Sequence, residues 1–146
     1  MPCIVIQPPS AVLAAMGMDK SGTFTMPTGG TGLIQGWAAR SGFPATTIAA
    51  DTSLVANGIG PVTVQARIQL TNNWVNAALP TFRVMKNGVQ LGQVTISFNT
   101  NAATFSAMST TLAPGDTLDM QYTMPSGQSG TVQQGSAATY LYYTLV

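Results

Sequence analysis

Residues 62–70 alternate without a break between apolar Val62, Val64, Ala66, Ile68 and Leu70 and polar Thr63, Gln65, Arg67 and Gln69. A period of two puts the first set on one face of a strand and the second on the other, so this segment predicts a sheet with one buried side. Segments 82–86 and 89–98 flank Asn87-Gly88, a pair that accepts positive φ at both central positions and so predicts a type I′ hairpin. Further strands are expected over 33–40, 46–55, 105–112, 117–123, 131–133 and 138–146. With about nine short strands, turns rich in Gly, Pro and Asn, and no helical periodicity after Met18, the expected fold is an all-β antiparallel sandwich or closed barrel.

The chain length of 146 residues suits one domain. Residues 33–146 are expected to form the sandwich, and residues 1–32 an N-terminal arm and linker. Within that arm, Ser10 followed by Ala11 to Met16 has the form of a capped turn or two of helix, which is marginal unless it docks. Val12, Leu13 and Met16 would then either pack on their own domain or anchor the chain in a neighbouring subunit. Pro27 to Gly32, Pro-Thr-Gly-Gly-Thr-Gly, reads as a flexible joint. It lacks the Lys of a phosphate loop and the helix and acidic residue of a dinucleotide fingerprint. The apolar residues 1–18 lack a basic leading region and are interrupted by Pro8-Pro9, so neither an export signal nor a membrane span is expected.

The chemistry available to such a chain is narrow. It has no His and no Glu, and only Asp19, Asp51, Asp116 and Asp119 as carboxylates. Acid–base catalysis near neutral pH relies mostly on His, paired carboxylates, Lys or a poised thiol, so an enzyme is not expected. Calcium needs six to eight oxygens, and Asp116 and Asp119 would point to opposite faces; no metal or cofactor is expected. The five cations give a formal net charge of +1, which provides no footprint for a nucleic acid backbone. Cys3 has no second Cys to pair with and reads as a small apolar residue. With 6% charged residues, mutual repulsion is weak and self-association is favoured.

Aromatic residues carry the remaining expectations. Trp74 lies among Asn72, Asn73 and Asn76, where its ring could stack on a sugar or fold back onto the core. In the last strand, Tyr140 and Tyr142 share one face while Leu141, Tyr143 and Leu145 share the other. Either that strand is central with its second face against another subunit, or it lies under the N-terminal arm. The first reading predicts a symmetric trimer with Tyr140 and Tyr142 near the axis.

The segment Leu112-Ala113-Pro114-Gly115-Asp116-Thr117-Leu118, followed by Met120 and Tyr122, resembles the turn and penultimate strand of tumour-necrosis-factor and complement-type jelly rolls. The aromatic strand from Thr139 to Val146 is similar to their closing central strand. This resemblance implies a jelly roll that trimerises through such aromatic faces. Residues 33–146 also resemble small, charge-poor virion proteins of tailed phages, particularly minor tail proteins of phages infecting actinobacteria. That resemblance implies a structural protein of a virion, partnered by itself and by tail or capsid proteins. A capsid decoration protein and a module recognising host-surface glycans are the alternatives. The Asp116 carboxylate is expected to cap local backbone N–H groups in its turn.

Overall fold

A computed structural model describes residues 1–5 and 11–146 of the chain. The strands run in chain order β1 (Met16–Lys20), β2 (Phe24–Met26), β3 (Gly30–Leu33), β4 (Trp37–Ala39), β5 (Ile48–Ala49), β6 (Ser53–Val55) and β7 (Gly60–Gln69). They continue as β8 (Thr81–Lys86), β9 (Val89–Thr95), β10 (Ala102–Thr104), β11 (Met108–Leu112), β12 (Thr117–Met124), β13 (Gly130–Val132) and β14 (Tyr140–Leu145). One sheet has the order β10-β7-β14-β1-β4, with β11 also on β7. The second has the order β5-β6-β12-β8-β9, with β3 also on β12, and β13 pairs with β2. All strand pairings are antiparallel, so the expected sandwich is present.

The alternation of 62–70 is realised in β7, where Val62, Val64, Ala66 and Ile68 are buried and the residues between them half-buried. Facing side chains come from Leu118, Met120, Tyr122 and Met124 of β12 and from Phe82 and Val84 of β8. Asn87 and Gly88 have φ of 49° and 79°, as a type I′ turn requires. The expected single strand over 33–40 is divided at Gly36, which has φ of 82°. There the chain leaves the second sheet as β3 and joins the first as β4. Asp51 fixes the corner by accepting hydrogen bonds from the N–H groups of Gly36 (2.8 Å) and Trp37 (3.1 Å).

The expected arm is corrected by this arrangement. Residues 16–20 form β1 in the middle of the first sheet, between β14 and β4, and Met16 and Met18 are fully buried. The domain therefore starts well before residue 33. No helix occurs in the described residues. Ser10, the expected helix cap, lies outside them, while Val12 makes an isolated bridge to Ile59 ahead of β1. The joint at 27–32 is partly strand, as β3 pairs with β12. Lys20, third in the buried row of β1, is only 3% exposed and donates through Nζ to the carbonyls of Ser21, Gly22 and Gly36.

The Pro114-Gly115 turn shows the local chemistry expected of it. The Asp116 N–H donates to the Ala113 carbonyl, Gly115 has φ of 87°, and Asp116 Oδ2 accepts from the Ala113 N–H at 2.9 Å. Asn87 links the two turns, donating to Asp116 Oδ1 at 2.8 Å and accepting from the Thr117 N–H at 2.9 Å. The Asn87 amide above all, then the Ala113 N–H and the Lys86 charge, hold the Asp116 carboxyl below its ordinary 3.8. Because the folded value is depressed, this stabilisation is complete above pH 3.8 and is lost as pH falls through the lower folded value. The wild-type melting temperature should therefore drop more steeply in acid than that of Asp116→Asn. Parallel curves from pH 5 to pH 2 would show that the carboxylate contributes nothing.

Candidate functional site

The outer face of the first sheet gathers the side chains that are free to recognise something. Strand pairing sets its rows: Gly17 pairs with Tyr142 and Tyr142 with Gln65, while Asp19 pairs with Tyr140 and Tyr140 with Arg67. Tyr140 and Tyr142 are half-buried on this face, whereas Leu141 and Tyr143 point inward and are fully buried. A Cβ at Gly17 would lie 2.8 Å from Tyr142 Cβ and 3.1 Å from Arg40 Cδ, so the absent side chain is what lets both residues lie down over β1. The Arg40 guanidinium sits 4.8 Å from the Tyr140 ring centre and 5.1 Å from that of Tyr142. Such a cation over an aromatic face contributes about 0.5–1 kcal/mol at partly exposed sites.

Neighbouring groups hold this cluster in place. Arg40 Nη1 forms an ion pair with Asp19 Oδ1 and donates to the Ser136 carbonyl at 2.9 Å. The Tyr142 hydroxyl donates to Gln65 Oε1 at 2.6 Å, and the Phe43 ring packs 5.5 Å from the Tyr142 ring. Arg67 donates to Thr104 Oγ1 at 3.0 Å and to Gln69 Oε1 at 3.4 Å. The result is a sheet face with two tyrosines, one phenylalanine, two guanidiniums and one carboxylate. It carries no nucleophile and base in contact, but its rigid rings and arginines are the side-chain types enriched at protein interfaces. Sequence reading placed Tyr140 and Tyr142 here but missed Asp19, Arg40, Phe43, Gln65 and Arg67. The signal for Gln65 and Arg67 was present in the polar half of the 62–70 alternation.

The loop candidates fare differently. Asn72, Asn73 and Asn76 rim a depression of about 240 Å³ together with Thr71, Val75 and Thr131. Trp74 is not a stacking platform there. It is 4% exposed, with Nε1 donating to the Ala78 carbonyl and its backbone hydrogen-bonded to Asn99 and Thr100. Burying the ring gains apolar stabilisation while the indole N–H keeps a partner, so the core takes it. Of the expected anchor residues, Met16 and Leu13 are buried and Val12 alone is exposed.

The carboxylates outside this face have structural partners. Asp116 belongs to its turn. Asp119 is buried in β12 with Ser53 Oγ at 3.4 Å, and burial raises its carboxyl above the ordinary value. The two do not converge, and the described residues hold no cluster of three or more metal-ligating side chains. The Tyr143 hydroxyl is buried with no hydrogen-bond partner in the described structure, and desolvation pushes its pKa up to about 12. An unsatisfied buried hydroxyl costs about 1–3 kcal/mol, so Tyr143→Phe should stabilise the fold by about 1 kcal/mol in urea unfolding. A destabilised variant would mean that the hydroxyl has found an acceptor.

No protein-family model and no curated protein matches the sequence. Solved structures do share its fold. The chain is similar to Eiger TNF from S. frugiperda, with 12% identity over 92% of each chain and a TM-score of 0.67. It is similar to murine APRIL at pH 5.0, with 10% identity over 92% of this chain and 100% of that one and a TM-score of 0.67. Bushbaby GITRL gives 14% identity over 91% of this chain and 94% of that one, with a TM-score of 0.54. At these identities the likeness is one of fold, and this chain is a TNF-like jelly-roll sandwich.

Proposed function

We propose that this chain is a non-enzymatic structural module that assembles as a homotrimer through the Tyr140 and Tyr142 face, and that it serves in the tail of a phage particle. The observation that carries the assembly reading is that β14 is central and aromatic on both sides. Its inner face fills the core with Leu141 and Tyr143, while its outer face holds two further tyrosines beneath Arg40. Rings held in this way meet a partner with little further loss of side-chain entropy. The TNF-like fold agrees with this reading, and the low charge removes long-range repulsion between copies. The non-enzymatic reading is supported by the structural engagement of all four carboxylates.

The virion placement is supported by the resemblance of residues 33–146 to small, charge-poor tail proteins. The assembly is tested by light scattering, where a mass three times the 15.1 kDa of one chain is expected. A mass of 15.1 kDa across the micromolar range would refute it. Electron microscopy of particles bearing an epitope-tagged copy tests the placement. Label on the tail supports it; label on the head shell points to capsid decoration instead.

A further inference from the structure

The same face carries an unfinished pair of charges. Across the sheet, one row of side chains runs Ala38, Asp19, Tyr140, Arg67, Thr104, each from the strand beside the last. Asp19 and Arg67 thus flank Tyr140 on opposite sides, each one strand away, and lie roughly 10 Å apart at about 4.8 Å per strand. Tyr140 stands between them, and they do not pair within one chain. Arg67 has no carboxylate partner in the described residues, and its Nε is buried without an acceptor. Asp19 holds Arg40 through Oδ1, and nothing in the described residues hydrogen-bonds its Oδ2.

A guanidinium without a carboxylate and a carboxylate with one oxygen unused, on either side of one residue, form a self-complementary arrangement. When copies are placed around a rotation axis beside Tyr140, the side bearing Arg67 in one copy meets the side bearing Asp19 in the next. Each copy then gives Arg67 to one neighbour and Asp19 to the other, and the ring closes with every pair made. We propose that Arg67 of one copy and Asp19 of the next form the intermolecular ion pair that fixes the register of self-association. The occupant of the face is therefore a second copy of this chain. This inference rests on the assembly reading above and deepens it.

The chemistry explains why the charge should matter in a mostly aromatic contact. A guanidinium covered by a partner without an acceptor is left desolvated and unpaired, which opposes association, whereas a matched carboxylate removes that penalty. Arg40 faces the same carboxylate from the other side, so Asp19 lies between two guanidiniums in the assembly. The Arg67 fork is held by Thr104 through Nη1 and by Gln69 through Nη2, and each of these nitrogens keeps a second N–H for a neighbour's carboxylate.

The test is a double-mutant cycle on the association constant of the full chain, measured by sedimentation equilibrium at low and high salt. Arg67→Met keeps the apolar stem, and Asp19→Asn keeps an acceptor for Arg40. Each single change should weaken association about tenfold, and the double variant should be no weaker than the weaker single one. The wild type should also lose affinity with salt more steeply than Arg67→Met. Effects that multiply in the double variant, or an Arg67→Met chain that associates like the wild type, would overturn the pairing. If Arg67→Met does not fold, Arg67→Lys carries the same test, since an ammonium lacks the fork and should also weaken association. A monomeric wild type sinks the assembly reading itself. An associated wild type that dissociates on loss of Tyr140 and Tyr142 but ignores Arg67 sinks only the ion pair.

Discussion

Replacing Tyr140 and Tyr142 together by Ser should yield a folded monomer that no longer assembles. Both rings lie on the outer face of β14, so their loss leaves the inward row of Leu141 and Tyr143 intact. Within one chain the change removes the Arg40 stacking, the ring contacts of Tyr142 with Tyr140 and Phe43, and the hydrogen bond from Tyr142 to Gln65. At about 0.5–1 kcal/mol for each such contact, the fold loses a minor part of the 5–15 kcal/mol typical of a domain. Association loses more, because aromatic anchors at the centre of an interface each contribute on the order of 2 kcal/mol or more. Two of them amount to a drop of roughly a thousandfold or more in affinity. Light scattering and circular dichroism on the same sample separate the outcomes. A chain that loses its β signal would make these rings part of the fold's own support, and a chain that stays associated would place the contact on another face.

How far the fold could be read from the sequence depended on whether its signal was local. The β7 alternation, the Asn87-Gly88 hairpin and the Asp116 turn each carry their cause within a few residues, and all three appear as expected. β1 did not, for a physical reason. Its buried row is Met16, Met18 and Lys20, alternating with Gly17 and Asp19, and a lysine hidden by three carbonyls does not read as an apolar position. Just before it, the run from Ala11 to Met16 imitates a helix. What makes the segment a strand is β14, more than a hundred residues away in sequence. Sequence alone leaves Trp74 open between stacking on a ligand and folding back onto the core, and it takes the core. Its amide neighbours suggested a wet loop, but the chain around Asn99 and Thr100 returns to cover it. On the candidate face, Tyr140 and Tyr142 were visible as a pair. Arg40 and Asp19 became part of the site only once the order of β14, β1 and β4 was known.

The glycine least able to take a side chain should be Gly58, although nothing in its sequence neighbourhood marks it. A Cβ there would stand 2.3 Å from the Leu13 nitrogen, 2.6 Å from Leu13 Cα and 2.7 Å from the Ala11 carbonyl oxygen. These are backbone atoms, so no rotamer change relieves the clash, and the strap formed by residues 11–14 must lift as a unit. Lifting it exposes Leu13, now 6% exposed, and breaks the hydrogen bond from the Ala14 N–H to Asn57 Oδ1 at 3.1 Å. The first loss is about 1.5–3 kcal/mol and the second about 1 kcal/mol. Gly58→Ala should therefore destabilise the fold by about 3 kcal/mol in urea unfolding, a large share of an ordinary domain's stability. Peeling is the cheaper response, because compressing two backbones by an ångström is worse, and this sets a second expectation. Once the strap has lifted, Leu13 is already in water, so adding Leu13→Ala to Gly58→Ala should cost almost nothing further, whereas Leu13→Ala alone should cost about 2 kcal/mol or more. Additive losses would mean that the strap stays down and the sandwich itself deforms. A Gly58→Ala protein as stable as the wild type would mean that the strap does not cross at this position.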